Sequence, residues 1–273
     1  MNKPQPSSDS TLLLKTFFGL LLRDLRVLTR ELGPFLLRVG MQPLLFLFVF
    51  TFVMPRMAGG SPLSSAGPGF GSILLPGLMA VAIMFSGIAG VALPLSTEFG
   101  VTREIDDRVM CPAPVAVVAI EKVVFSALQS MIAALLVIPM AIYIPATPVY
   151  PDLHRWWLLI LILVLSSLLA GALGLAIGSS VSPKNIGLVF SIIVVPITFL
   201  GCVYYPWAYL DKIRWLQIAV LFNPIVYISE GLRSAVTPQV HAMPAWVVLP
   251  ALLVFLYVLG RFGLRGFLRR VIS

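Results

Sequence analysis

Six long apolar runs, separated by short polar or Pro/Gly-rich stretches, set the pattern of this chain. They fall at about Pro34–Met54, Gly71–Leu95, Val115–Ile144, Trp156–Ser179, Ile186–Val203 and Ala245–Phe262. A helix needs about 20 apolar residues to cross a hydrocarbon core of about 30 Å, and each run reads as one crossing. Ahead of the first run, Leu14, Phe17, Phe18, Leu21, Leu22, Leu25 and Leu28 recur at helical spacing, while Lys15, Arg23, Arg26 and Arg30 take the other side. Residues 11–32 therefore predict an amphipathic helix lying on an anionic leaflet, with a frayed extension of the first span as the alternative. Charged residues interrupt this stretch and no small-residue cleavage site follows it, which separates it from a secretory signal. The expected organisation is a polar, disordered segment 1–10, the interfacial helix 11–32, a six-span domain 34–262 and a basic cytoplasmic tail 263–273.

One apolar stretch does not fit this scheme. Residues 204–236 are too short for two crossings and too apolar for a solvated loop. Asn223-Pro224 predicts an N-cap followed by proline in the first turn of a helix, and Pro206 suits the start of another. The expected solution is a re-entrant pair of half-helices before the last span, because backbone at that depth must be helical or buried in protein. Glu230 and Arg233 stand three apart on one helical face. At membrane depth such a pair is either a functional gate element or a structural ion pair that caps the hairpin.

Composition supports the membrane reading. The chain has 273 residues, 59% hydrophobic and 11% charged, and a mean hydropathy of +1.00. A soluble domain carries about 25% charged residues. The net charge of +8 is not a nucleic-acid footprint, since the charges cluster beside apolar runs. Fourteen of the 19 Lys and Arg residues fall on one side if residues before the first span are cytoplasmic; Arg56, Arg155, Lys212, Arg214 and Arg233 fall outside. That bias predicts both ends of the chain in the cytoplasm. Arg38 lies near the start of the first span and can snorkel. Cys111 and Cys202 are then on opposite sides, so no disulfide is expected, and His154 and His241 have no metal-ligand spacing around them. Gly174 and Gly178 form a small-xxx-small pair for close helix packing.

The densest charge lies between the second and third spans, Glu98 to Lys122. A short helix starting near Thr102 would place Glu104, Asp106 and Asp107 in its early turns, followed by Arg108, in partial accord with the helix dipole. Val101, Ile105 and Val109 form a narrow apolar stripe, and Pro112 and Pro114 end the helix. On charge pattern alone a solvated acidic loop is an equal reading. Elsewhere the chain has no G-x-x-x-x-G-K-S/T loop to cradle phosphates, no H-E-x-x-H and no G-x-S-x-G. No span carries the chain of buried acids of an ion-coupled carrier. Enzyme chemistry within the chain is not expected.

Two motifs carry a resemblance. E-F-G-x-x-R-E at Glu98–Glu104 is followed by Pro112-Ala113-Pro114 and by Glu121-Lys122, and N-P-I-x-Y-x-x-E-x-x-R spans Asn223–Arg233. In this order, and in these places between spans, they resemble the membrane subunit of type-2 ABC transporters, the export permeases for drugs, lipids and polysaccharides. The resemblance implies a coupling helix formed by Glu98, Gly100, Arg103, Glu104, Ile105, Asp106, Asp107, Arg108 and Val109. It further implies a re-entrant gate at Asn223, Pro224, Tyr227, Glu230 and Arg233. The implied partners are a separate ATP-binding subunit, which holds the ATP and Mg, and a second copy of this chain or a paralogous permease. No cofactor is expected in the chain itself. A membrane scaffold that binds an ATPase without conducting anything is the competing reading.

Overall fold

The computed structural model describes residues 10–53, 70–99, 114–144, 151–152 and 154–272. Among these residues regular structure is entirely helical. Helix α1 (Ser10–Arg30) precedes α2 (Leu32–Leu47), which loosens into a π-helical turn over Phe48–Val53. Helices α3 (Phe70–Thr97), α4 (Val115–Tyr143) and α5 (Trp156–Ser180) follow. A composite helix α6 (Pro183–Phe199), a bent pair α7 (Arg214–Phe222) and α8 (Pro224–Val236), and the long α9 (Ala245–Ile272) complete the order. Five helices are long and apolar enough to cross a bilayer, or six if the bent pair is one crossing. The chain is an all-α polytopic membrane protein.

Packing separates central helices from peripheral ones. The most apolar stretch of α3 is 72% buried inside the protein and that of α5 67%, against 22% for α2 with its π turn and 17% for α9. The first pair therefore forms the core of the bundle, and the second pair is left to face lipid or other protein. Small residues allow the central contact. A Cβ on Gly174 of α5 would stand 2.8 Å from the Ile88 carbonyl oxygen of α3, so the pair Gly174/Gly178 expected from sequence is a packing feature. Gly77 is more constrained still: a Cβ there would lie 1.9 Å from the Val203 carbonyl oxygen, which seats the chain after α6 directly on the α3 backbone.

Two helices depart from the expected boundaries. The fifth apolar run ends as a helix at Phe199 rather than Val203. Pro196 gives no N–H to the ladder, and the register widens to π over Phe190–Val194 just before it. At 17 residues, α6 spans only about 25 Å at 1.5 Å per residue. Conversely, α9 continues past Phe262 through the basic stretch to Ile272. No proline interrupts that stretch, and one face stays packed: Phe267 is fully buried among Val91, Leu95, Ala119 and Leu175, while Arg265 and Arg269 point outward.

Candidate functional site: polar clamps at the two ends of the bundle

At one end, the chain leaves α3 and returns to α4, and both passages are pinned. Glu98 and Lys122 are 24 residues apart and both buried, and Lys122 Nζ donates to Glu98 Oε1 at 2.7 Å. Glu121 beside Lys122 is also fully buried. Phe99 packs edge-on against Phe267 of α9, ring centres 6.0 Å apart, and the Arg270 guanidinium lies over the Phe99 ring, 4.5 Å from its centre. The same Arg270 donates through Nη1 to the carbonyl oxygens of Gly178, Ser179 and Val181, at 3.1, 3.3 and 2.8 Å. Those carbonyls close the C-terminal end of α5, where orphan acceptors and the negative end of the helix dipole favour a cation. Four helices thus meet at the root of the 98–122 stretch.

Of the expected coupling residues, Glu98 is turned inward to Lys122. Gly100, Arg103, Glu104, Ile105, Asp106, Asp107, Arg108 and Val109 lie outside the described residues. Arg270 was read from sequence only as part of a basic tail; its partners precede it by about ninety positions, so no local pattern pointed to them.

At the other end, the second motif forms a buried polar network. Asn223 Oδ1 accepts from the Ile225 N–H at 3.1 Å with Pro224 in the first turn, the N-cap expected from sequence, and Asn223 Nδ2 donates to the Ile197 carbonyl at 2.6 Å. The chain bends by 97° between α7 and α8 at this cap. On α8, Glu230 Oε1 accepts from the Trp207 N–H and Oε2 from the Met243 N–H, each at 2.9 Å. Arg233 Nη1 donates to Glu230 Oε1, and Arg233 Nη2 to the Cys202 carbonyl at 3.1 Å. Ser229 Oγ donates to the Gly201 carbonyl at 2.8 Å, and the Tyr227 ring packs on Phe255 of α9. Glu230 is 1% exposed and Arg233 0%, so neither presents its charge to a passing molecule. They tie α8 to the segment after α6 and to the approach to α9.

Cys202 has φ of 52°, the left-handed region that disfavours a side chain. That conformation aims its carbonyl at Arg233. No sequence signal marks it, since glycine is the residue expected there. Cys202→Gly should therefore stay within about 1 kcal/mol of the parent, relief of strain offsetting the lost thiol packing, whereas Cys202→Val should cost more than about 2 kcal/mol despite its closer volume. Thermal unfolding of the purified proteins in detergent checks the order.

A helical bundle of this kind is a multi-pass membrane protein, and comparison with known proteins makes the family explicit. The profile of the ABC-2 type transporter family matches residues 16–237, and the chain belongs to that family. It is 26% identical over 194 residues to the inner membrane transport permease YadH of Escherichia coli strain K12, covering 70% of this chain and 72% of that protein. The protein of the same name from Shigella flexneri matches to the same extent.

Proposed function

We propose that this chain is the membrane subunit of an ATP-driven exporter in the cytoplasmic membrane. Residues before α2 and after α9 then lie on the cytoplasmic side, in accord with the distribution of Lys and Arg. A separate ATP-binding subunit holds ATP and Mg and docks on residues 98–114, and this chain binds no nucleotide. Two permease copies, identical or paralogous, enclose the pathway between them. The cargo is hydrophobic or amphipathic: a drug, a lipid or a lipid-linked glycan.

The observation that supports this reading best is the anchored root of the 98–122 stretch in a chain of this family. A push delivered to the loop reaches α3 and α4 through Glu98–Lys122, and α5 and α9 through Phe99 and Arg270. In the second motif, Asn223 and Pro224 shape the gate by fixing the bend between α7 and α8, and Tyr227, Glu230 and Arg233 by holding α8 to the segment after α6 and to α9, not by touching cargo. Reconstitution of the permease with its ATP-binding subunit in vesicles tests the proposal. Hydrolysis should rise with at least one cargo among lipids, glycans and drugs. Stable assembly with no stimulation by any of them would favour the scaffold reading.

A further inference from the structure

Where α1 meets α2, with α1 packed on α4 and α2 on both α3 and α4, there is a cavity of about 400 Å³. It is lined by Arg23, Asp24 and Glu31, by the buried Glu98–Lys122 pair, and by the exposed Arg38 with the half-buried Gln129. A second cavity of about 200 Å³ continues between α2 and α3, lined by Arg38, Gln42 and Ser86 beside Val39, Val81 and Phe85. Arg38 belongs to both. Arg38 and Gln42 share one face of α2, four residues apart. Sharing Arg38, the two spaces form a track along α2, the larger lined by more charged side chains and the smaller mostly by apolar ones.

Charge within the track is unevenly placed. Lys122 is paired with Glu98, and Arg23, Asp24 and Glu31 line the same cavity. Arg38 has no hydrogen bond or ion pair among the described residues, although it lies roughly 9 Å along α2 from Leu32 at 1.5 Å per residue. Arg38 is exposed on α2 beside both cavities, and a guanidinium fork there fits the paired oxygens of a phosphate or carboxylate. Gln42, Gln129 and Ser86 supply neutral donors around it, and the apolar wall of the second cavity suits a hydrocarbon chain.

We infer that this track is a binding site for an amphiphile with a phosphate or carboxylate head, the anion held by Arg38 and the chain lying between α2 and α3. The inference deepens the amphiphile-export reading, on which it rests for its purpose, by giving the cargo's head a chemical class and a place.

The test is native mass spectrometry of the full chain in neutral detergent, titrated separately with phosphatidylglycerol, with diacylglycerol of the same chains and with glycerol phosphate. Phosphatidylglycerol should be retained at least about tenfold better than diacylglycerol, and glycerol phosphate should not displace it, because the chain contributes to binding. Arg38→Gln should weaken phosphatidylglycerol retention about tenfold, and Arg38→Lys, which keeps the charge but not the fork, should weaken it less. Should Arg38→Gln not yield folded protein, Gln129→Leu is read in its place and should weaken retention several-fold. Equal retention of phosphatidylglycerol and diacylglycerol, displacement by glycerol phosphate alone, or no effect of the variants would overturn the assignment. Retention through Arg38 without any lipid stimulating the partner's hydrolysis would leave the site standing and remove the cargo reading instead.

Discussion

Glu230→Gln is expected to lower stability by about 3–5 kcal/mol, enough to deplete folded protein in the membrane. The amide is nearly isosteric, so the loss is electronic. Both carboxylate oxygens accept from backbone N–H groups, of Trp207 and Met243, and Oε1 also receives Arg233. An amide turns one of those acceptors into a donor facing a donor, and leaves a guanidinium that is 0% exposed without its counter-charge. The apolar double replacement Glu230→Leu with Arg233→Leu should recover part of the loss, because it removes the uncompensated charge. Full recovery is not expected, since the N–H groups of Trp207 and Met243 and the Cys202 carbonyl remain without these side-chain partners, at about 1–3 kcal/mol for each buried group left unbonded. Unfolding midpoints of the three proteins check the ordering parent, double variant, single variant. A single variant that stays as stable as the parent but no longer transports would instead make Glu230 a gate residue in the strict sense.

Lys122→Met is expected to have an effect of similar size at the opposite end, about 3–5 kcal/mol, by leaving the buried Glu98 carboxylate without its ammonium. The functional consequence differs. Glu98 closes α3 and Lys122 lies in the first turns of α4, so losing the pair frees the two passages of the 98–122 stretch from each other. Glu98→Leu combined with Lys122→Met should restore much of the stability while leaving hydrolysis poorly coupled to transport. Purified protein yield and unfolding midpoint measure the first effect; the ratio of transport to hydrolysis in vesicles measures the second. A double variant that is both stable and fully coupled would show the pair to be packing alone.

The spans were legible because hydrophobicity needs no knowledge of neighbours: each apolar run had to be helical to satisfy its own backbone in lipid. The cap at Asn223-Pro224 was legible for the same reason, since a side chain two residues from the N–H it accepts is local chemistry. The proximity of Glu230 and Arg233 could be read from their spacing, but the purpose of the pair could not. Its other partners are backbone groups of Cys202, Trp207 and Met243, brought in by three separate segments. Glu98 and Lys122 were read as charge on a partner-facing stretch, and folding instead turned them toward each other across 24 residues. Arg270 was one of several tail arginines until α9 continued as a helix and carried it to the end of α5. The early end of α6 reflects local backbone geometry that composition hides: the helix passes Pro196 after a π turn and stops at Phe199, just before the left-handed Cys202.

The central claim is that the loop between α3 and α4 receives an ATP-binding subunit. Its most direct test is co-purification of that subunit with a permease carrying Glu104→Lys, Asp106→Lys and Asp107→Lys, followed by hydrolysis and transport measurements on whatever assembles. The triple variant should insert as the parent does, because the exchanges leave every apolar run intact and add basic charge to a stretch expected on the cytoplasmic side, yet it should lose the ATP-binding subunit or hydrolyse without transporting. A triple variant that assembles with the subunit and transports at the parental rate would contradict the claim.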